Sequence, residues 1–137
     1  MAMKSLVISL LLLSLSAQAA EIVIVGNIRN KQQILTQLQI QDIYMGRTRA
    51  FPDGKSAFPL DQLNLRAEFY QKLTHRPVAQ INAYWARLMF SGQTSPPVKV
   101  PDDISIIKMI RENEGAIGYI NKDSIDEQTM HVLFSMD

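Results

Sequence analysis

Residues 102–120 read DDISIIKMIRENEGAIGYI, and this stretch decides the fold class. Asp102 or Asp103 can accept from the free amides at a helix start, and the acidic pair suits the positive end of a helix dipole. Ile106, Ile107 and Ile110 then follow at helical spacing, so a helix is read from Ile104 to Asn113 with those three facing inward. Glu114-Gly115 ends it. Ala116 to Ile120 is a short apolar run and reads as a buried strand, in which Gly118 permits a close backbone approach. A capped amphipathic helix that delivers a buried strand is the repeating unit of an α/β domain.

The same alternation appears on both sides. Glu21 to Gly26 (EIVIVG) is a β-branched run that reads as a buried strand, with loop from Asn27 to Gln33. Thr36 to Met45 places Leu38, Ile40, Ile43 and Tyr44 on a roughly helical pattern, and Gly46 stops it. Pro52-Asp53-Gly54 marks a turn inside Arg47 to Lys55. Ala57 to Leu60 reads as a short strand that Pro59 keeps irregular or at an edge. Asn64 can cap a helix from Arg66 to Thr74, with Phe69 and Leu73 on one face. Pro77 opens a helix through about Phe90, where Val78, Ile81, Trp85, Leu88 and Met89 form an apolar stripe and Tyr84 falls off it toward the surface. Ser91 to Pro97 is loop, and Met130 to Phe134 reads as the last strand. The expected fold is α/β: a single three-layer-like lobe with a mainly parallel or mixed sheet flanked by helices.

The first residues read differently. Lys4 precedes Leu6 to Leu15, a leucine-rich run, and Ala17-Gln18-Ala19 offers an A-x-A cleavage site, which is the layout of a secretory signal peptide. Ten residues at about 1.5 Å each reach only half of a ~30 Å bilayer core, so this run is not expected to span a membrane. Cleavage after Ala19 removes 19 of 137 residues and leaves 118, expected as one domain over 20–137. With Lys4 gone, 13 of the 14 basic residues remain beside 13 acidic ones, so the net charge is near zero. Neutrality argues against nucleic-acid binding, which draws on excess positive charge. The absence of cysteine excludes a disulfide framework, a thiolate metal site and a cysteine nucleophile. The expected location is a periplasm.

Chemistry-bearing motifs are sparse. His75 and His131 are the only histidines, and neither stands at metal-ligand spacing from a second histidine or a carboxylate. No nucleophile elbow, phosphate loop or dinucleotide fingerprint is present. No enzyme, metal or cofactor is expected. Arg66, with Asn64 and Asp61, forms the best ligand-binding patch because it stands at a predicted helix start. The plainer alternative is a capped helix with a solvated arginine, and Asp61 opposes an anion unless it orients Arg66. Arg47, Arg49 and Lys55 surround the Pro-Asp-Gly turn, either as a solvated loop or as a basic docking surface for an acidic partner or a second anion contact.

Three segments taken in order resemble the phosphate-binding proteins of ABC transporters, which have the type II periplasmic binding protein fold. Ile40 to Gly46 (IQDIYMG) with Arg47 is similar to that family's I-x-x-I-F-x-G-K helix end. Pro59 to Phe69 occupies the place of its phosphate-gripping turn. Gly115 to Ile120 (GAIGYI) is close to its G-A-I-G-Y-V strand. The similarity runs from about Ile22 to Ile120 and matches the second of two lobes. Only Glu21 to Leu35 precedes the helix that ends at Gly46, so most of the first lobe has no counterpart. The family's Ser-Gly-Thr turn falls on Leu63-Asn64-Leu65 here, so two hydroxyl donors become leucines. The resemblance implies a solute-binding lobe related to phosphate uptake, taking phosphate or a similar oxyanion weakly or with a partner. The alternative is a ligand-free interaction or signalling module that docks on an envelope sensor, porin or transporter, or on a second copy of itself.

Overall fold

The computed structural model describes residues 21–136, so the expected leader over 1–19 lies outside the described residues. The chain order is β1 (Ile22–Asn27), α1 (Gln37–Tyr44), β2 (Phe58–Gln62), α2 (Arg66–Thr74), α3 (Val78–Ser91), β3 (Val98–Val100), α4 (Asp103–Glu112), β4 (Ala116–Asn121), a 3-10 turn (Lys122–Ser124) and β5 (Met130–Met136). The five strands form one mixed sheet in the order β3-β2-β4-β1-β5. β2 runs parallel to β3 and β4, whereas β1 runs antiparallel to β4 and β5.

Strand alternation sorts the core onto two faces. Ile22, Ile24, Ile117 and Tyr119 pack with Tyr44, Phe69 and Trp85 of α1, α2 and α3. Val23, Val25, Leu60, Ala116 and Ile120 pack on the other side with Ile106 and Ile110 of α4. The sheet is covered on both faces, which makes three layers and explains why β1 and β4 are apolar without a break. Gly118 is what brings α4 down onto the sheet. A Cβ there would lie 2.8 Å from Ile106 Cγ2.

Helix starts follow local chemistry. Thr36 and Gln39 form a reciprocal capping box at α1. Asp102 rather than Asp103 caps α4, accepting from the Ser105 amide at 2.9 Å. α2 differs from expectation: Leu65 occupies the cap position with no side-chain bond, and Asn64 stands outside. α3 is flanked by Pro77 at its start and by Gly92, in a left-handed conformation, at its stop.

Three further expectations are corrected, and one strand is new. β2 is an interior strand, not an edge, despite Pro59. The Phe58 amide donates across to Gly115 O at 2.7 Å, and pairing with β3 begins only at Leu60. Pro59 therefore sits where no ladder bond needs its missing N–H. β3 was not anticipated, because three residues after a Pro-Pro pair carry no periodicity. Leu38 and Met89 point to solvent, since α1 and α3 each bury a narrower stripe than the apolar pattern implied. Tyr84 is half-buried and donates to Met45 O at 2.7 Å, so its hydroxyl ties α3 to the end of α1.

Candidate functional site

The carboxyl ends of the parallel strands β2, β3 and β4 lie together, and α2 and α4 start just beyond them. In α/β sheets this edge is where ligands bind. Asp61 lies near the end of β2 and is 1% exposed. Its Oδ1 accepts from the Tyr119 hydroxyl at 2.5 Å. Its Oδ2 accepts from Arg66 Nε at 2.8 Å and from the Tyr70 hydroxyl at 3.2 Å. A buried carboxylate needs such partners to offset lost hydration. Burial, and then the negative charge of Asp61, push the Tyr119 phenol far above its ordinary range. The same two causes, in the same order, raise Tyr70, although Arg66 partly opposes them. Both phenols therefore stay protonated and keep donating.

Arg66 opens α2 as its first residue and has three calls on its guanidinium group. Nε serves Asp61, Nη1 donates to Asn82 Oδ1 at 2.6 Å, and the group stands 5.2 Å from the centre of the Tyr70 ring. Nη2 has no protein partner among the described residues and is not sealed from solvent. The arginine is thus fixed in direction while one N–H edge stays available. The first-turn amides of α2 have no side-chain acceptor. Asp61 neutralises the arginine's charge, so the cluster has direction but no net positive charge.

Other predicted residues are placed elsewhere. Asn64 is exposed and lies outside the Asp61–Arg66 cluster. Its amide donates to Pro101 O at 3.3 Å, and the Leu63 amide donates to Val100 O at 2.9 Å. Two amides of the turn are therefore spent on holding the end of β3. Arg47 pairs with Asp42 at 3.2 Å, and Lys55 lies 4.0 Å from Asp53. Arg49 pairs with no carboxylate among the described residues and instead donates to Thr94 Oγ1 at 2.6 Å. Two of the three basic side chains in the loop are thus occupied by acidic neighbours. No three histidines, aspartates or glutamates meet in a metal-holding group among the described residues. No helix among them is long and apolar enough to cross a membrane.

Asp103 carries a role that sequence reasoning reduced to a helix-dipole contact. Its carboxylate accepts from Gln62 Nε2 at 2.7 Å, Asn121 Nδ2 at 2.9 Å and Ser124 Oγ at 2.5 Å. It therefore ties the start of α4 to the ends of β2 and β4. Burial raises its pKa, but the bonds from Ser124, Asn121 and Gln62 outweigh that and leave it below the ordinary carboxylate value. A depressed folded pKa means stability that is present above the unfolded value, about 3.9, and lost as pH falls through the folded one. Asp103→Asn is therefore expected to cost most near neutral pH. The gap in melting temperature from the parent should narrow as pH drops below about 4. A gap that stays constant from neutral pH into that acid range would remove Asp103 as a source of acid sensitivity.

The fold defines a class: a three-layer α/β lobe of the kind found in solute-binding proteins of ABC transporters. An ABC-type phosphate transport receptor from Vibrio cholerae superposes with a TM-score of 0.62 at 17% identity, over 83% of this chain and 45% of that one. A putative phosphate ABC transporter substrate-binding protein from Clostridium perfringens, solved with bound phosphate, gives a TM-score of 0.64 at 19% identity, over 82% of this chain and 44% of that one. The chain thus spans less than half the length of these structural relatives. At this identity the likeness establishes the fold. No protein-family model matches the chain, and no curated protein matches it by sequence.

Proposed function

We propose that this lobe supplies one half of an oxyanion-binding clamp in the periplasm, binding phosphate or a similar anion weakly by itself and more firmly with a partner. The supporting observation is the Arg66 guanidinium, aimed by Asp61 and Asn82 at the uncapped start of α2 with Nη2 unengaged. Helix-start amides and an arginine fork both suit an oxyanion. The opposing carboxylate and the two leucines of the turn keep the affinity low. The partner is an envelope protein or a second copy that closes over the carboxyl ends of the strands. The role is recognition without bond chemistry, metal or cofactor.

Calorimetric titration with phosphate and with sulfate tests this. Saturable heat in the millimolar range is expected, and none at that concentration would sink solute binding. Leu63 is 52% exposed, so its side chain can change without disturbing the core. Leu63→Ser restores one hydroxyl donor to the turn. A hydrogen bond to a charged group contributes about 1.5–3 kcal/mol, so phosphate should bind roughly tenfold or more tightly to this variant. Unchanged affinity would place the anion elsewhere.

A second reading draws on the same edge. Leu63 and Ile104, the latter 79% exposed, are large apolar side chains at the carboxyl ends of the strands. Exposed apolar surface there suits a ligand-free module that docks on an envelope sensor, porin or transporter. That reading gains if the titrations are silent and an envelope protein co-purifies with the chain but not with Ile104→Glu.

A further inference from the structure

At the opposite, amino-terminal end of β2, the loop after α1 and the loop before β3 enclose a cleft of about 160 Å³. Its walls are chemically divided. Phe58, Pro59, Pro97 and Val98 supply an apolar side, while Arg49, Thr94 and Ser95 supply a polar one. The other three arginines or lysines with assigned roles above, Arg47, Lys55 and Arg66, each have a carboxylate at 4.0 Å or less. Arg49 has none among the described residues.

Arg49 is also held in place. Nη2 donates to Thr94 Oγ1 at 2.6 Å, across the cleft's two loops, and its backbone oxygen accepts from the Ala57 amide at 2.8 Å. The facing loop is stiffened by Pro96-Pro97. Gly46 forms part of the lining in a left-handed conformation, φ +73, with no room for a side chain. A Cβ there would meet Trp85 Cη2 at 2.6 Å and Thr94 Cγ2 at 3.0 Å. Thr94 thus meets both Arg49 and Gly46, and the exposed Arg49 side chain is directed across the cleft by that one hydrogen bond. A fixed cation beside an apolar wall recognises a molecule with one anionic group on a short apolar stem.

We propose that this cleft binds a small carboxylate, with Arg49 pairing the carboxyl group and Phe58 and Pro59 packing the stem. The volume suits a single short aliphatic or aromatic acid or the last residue of a peptide. The site is separate from the Asp61–Arg66 edge and does not depend on the function proposed there. Its ligand class differs as well, because the apolar wall offers inorganic phosphate nothing.

Trp85 is the single tryptophan and its ring edge lies against Gly46, so its fluorescence reports on the cleft. Titration of the protein with butyrate and benzoate should give a saturable fluorescence change, and butyramide and benzamide should give none. Arg49→Gln should weaken carboxylate binding at least tenfold, while Arg47→Gln leaves it unchanged. A short peptide with a free C-terminus, set against its amidated twin, separates the two sources of carboxylate. Tighter binding of the free-ended peptide than of benzoate assigns the cleft to a chain end, and the reverse assigns it to a free acid. Equal binding of acid and amide, or retention of binding in a folded Arg49→Gln protein, overturns the proposal. So does the absence of any saturable change with acids and peptide alike.

Discussion

Arg66→Met is expected to destabilise the protein by about 3–5 kcal/mol, the range for stripping one partner from a buried ion pair. Asp61 is 1% exposed, and the Arg66 side chain is 12% exposed, so water replaces the lost guanidinium only in part. The carboxylate would keep the Tyr70 and Tyr119 hydroxyls but lose its only countercharge among the described residues. The penalty belongs to the orphaned charge rather than to the pair as such. Asp61→Asn/Arg66→Met should therefore recover at least half of the loss, because the neutral amide oxygen still accepts from a phenol. Urea unfolding of the parent, both single variants and the double variant gives the coupling energy directly. A double variant as unstable as the sum of the singles would show that Asp61 and Arg66 act independently.

The second large effect is Phe69→Ala. Phe69 is fully buried and stacks on Tyr119, with ring centres 3.7 Å apart and planes 7° from parallel. Its edges meet Tyr44 at 4.8 Å and Tyr70 at 4.9 Å. Truncation removes the centre of this four-ring cluster, at a cost of about 3–5 kcal/mol for a buried phenylalanine. That is a large share of a domain stability of roughly 5–15 kcal/mol. The same ring sets the position of Tyr119, whose hydroxyl holds Asp61, so core and candidate site share one support. A shift in the urea midpoint equivalent to about 0.5 kcal/mol, the usual size of a surface effect, would contradict the central placement of Phe69.

Particular residues show how much of this was legible in the sequence. The capped helix and strand of 102–120 were read nearly to their ends, because cap, stripe and apolar run all agree there. Phe69, Ile81, Trp85, Ile106 and Ile110 were placed inward, and all five are buried. The interior position of β2 was not legible. Pro59 signals an edge locally, and only the register with β3, set some forty residues away, makes it harmless. The site was half legible. Arg66 at a helix start is a local pattern, and Asp61 was considered as its orienting group. What was missing is distant in the chain: Tyr119 reaches Asp61 from 58 residues away, and Asn82 reaches Arg66 from 16. Asp103 was missed for the same reason, since Gln62, Asn121 and Ser124 arrive from separate elements. Short-range spacing identifies a helix start, whereas burial of the charges beside it comes from the sheet.

The structural likeness to phosphate-binding proteins and the neutralised arginine pull in opposite directions, and an observation at single residues decides between them. That observation is a phosphate titration followed by backbone amide NMR. Saturable shifts confined to the Arg66, Ala67 and Glu68 amides and the Arg66 side chain are expected, growing in Leu63→Ser. Amides that stay unmoved at high millimolar phosphate, or that move at another edge of the sheet, would contradict phosphate binding at Arg66.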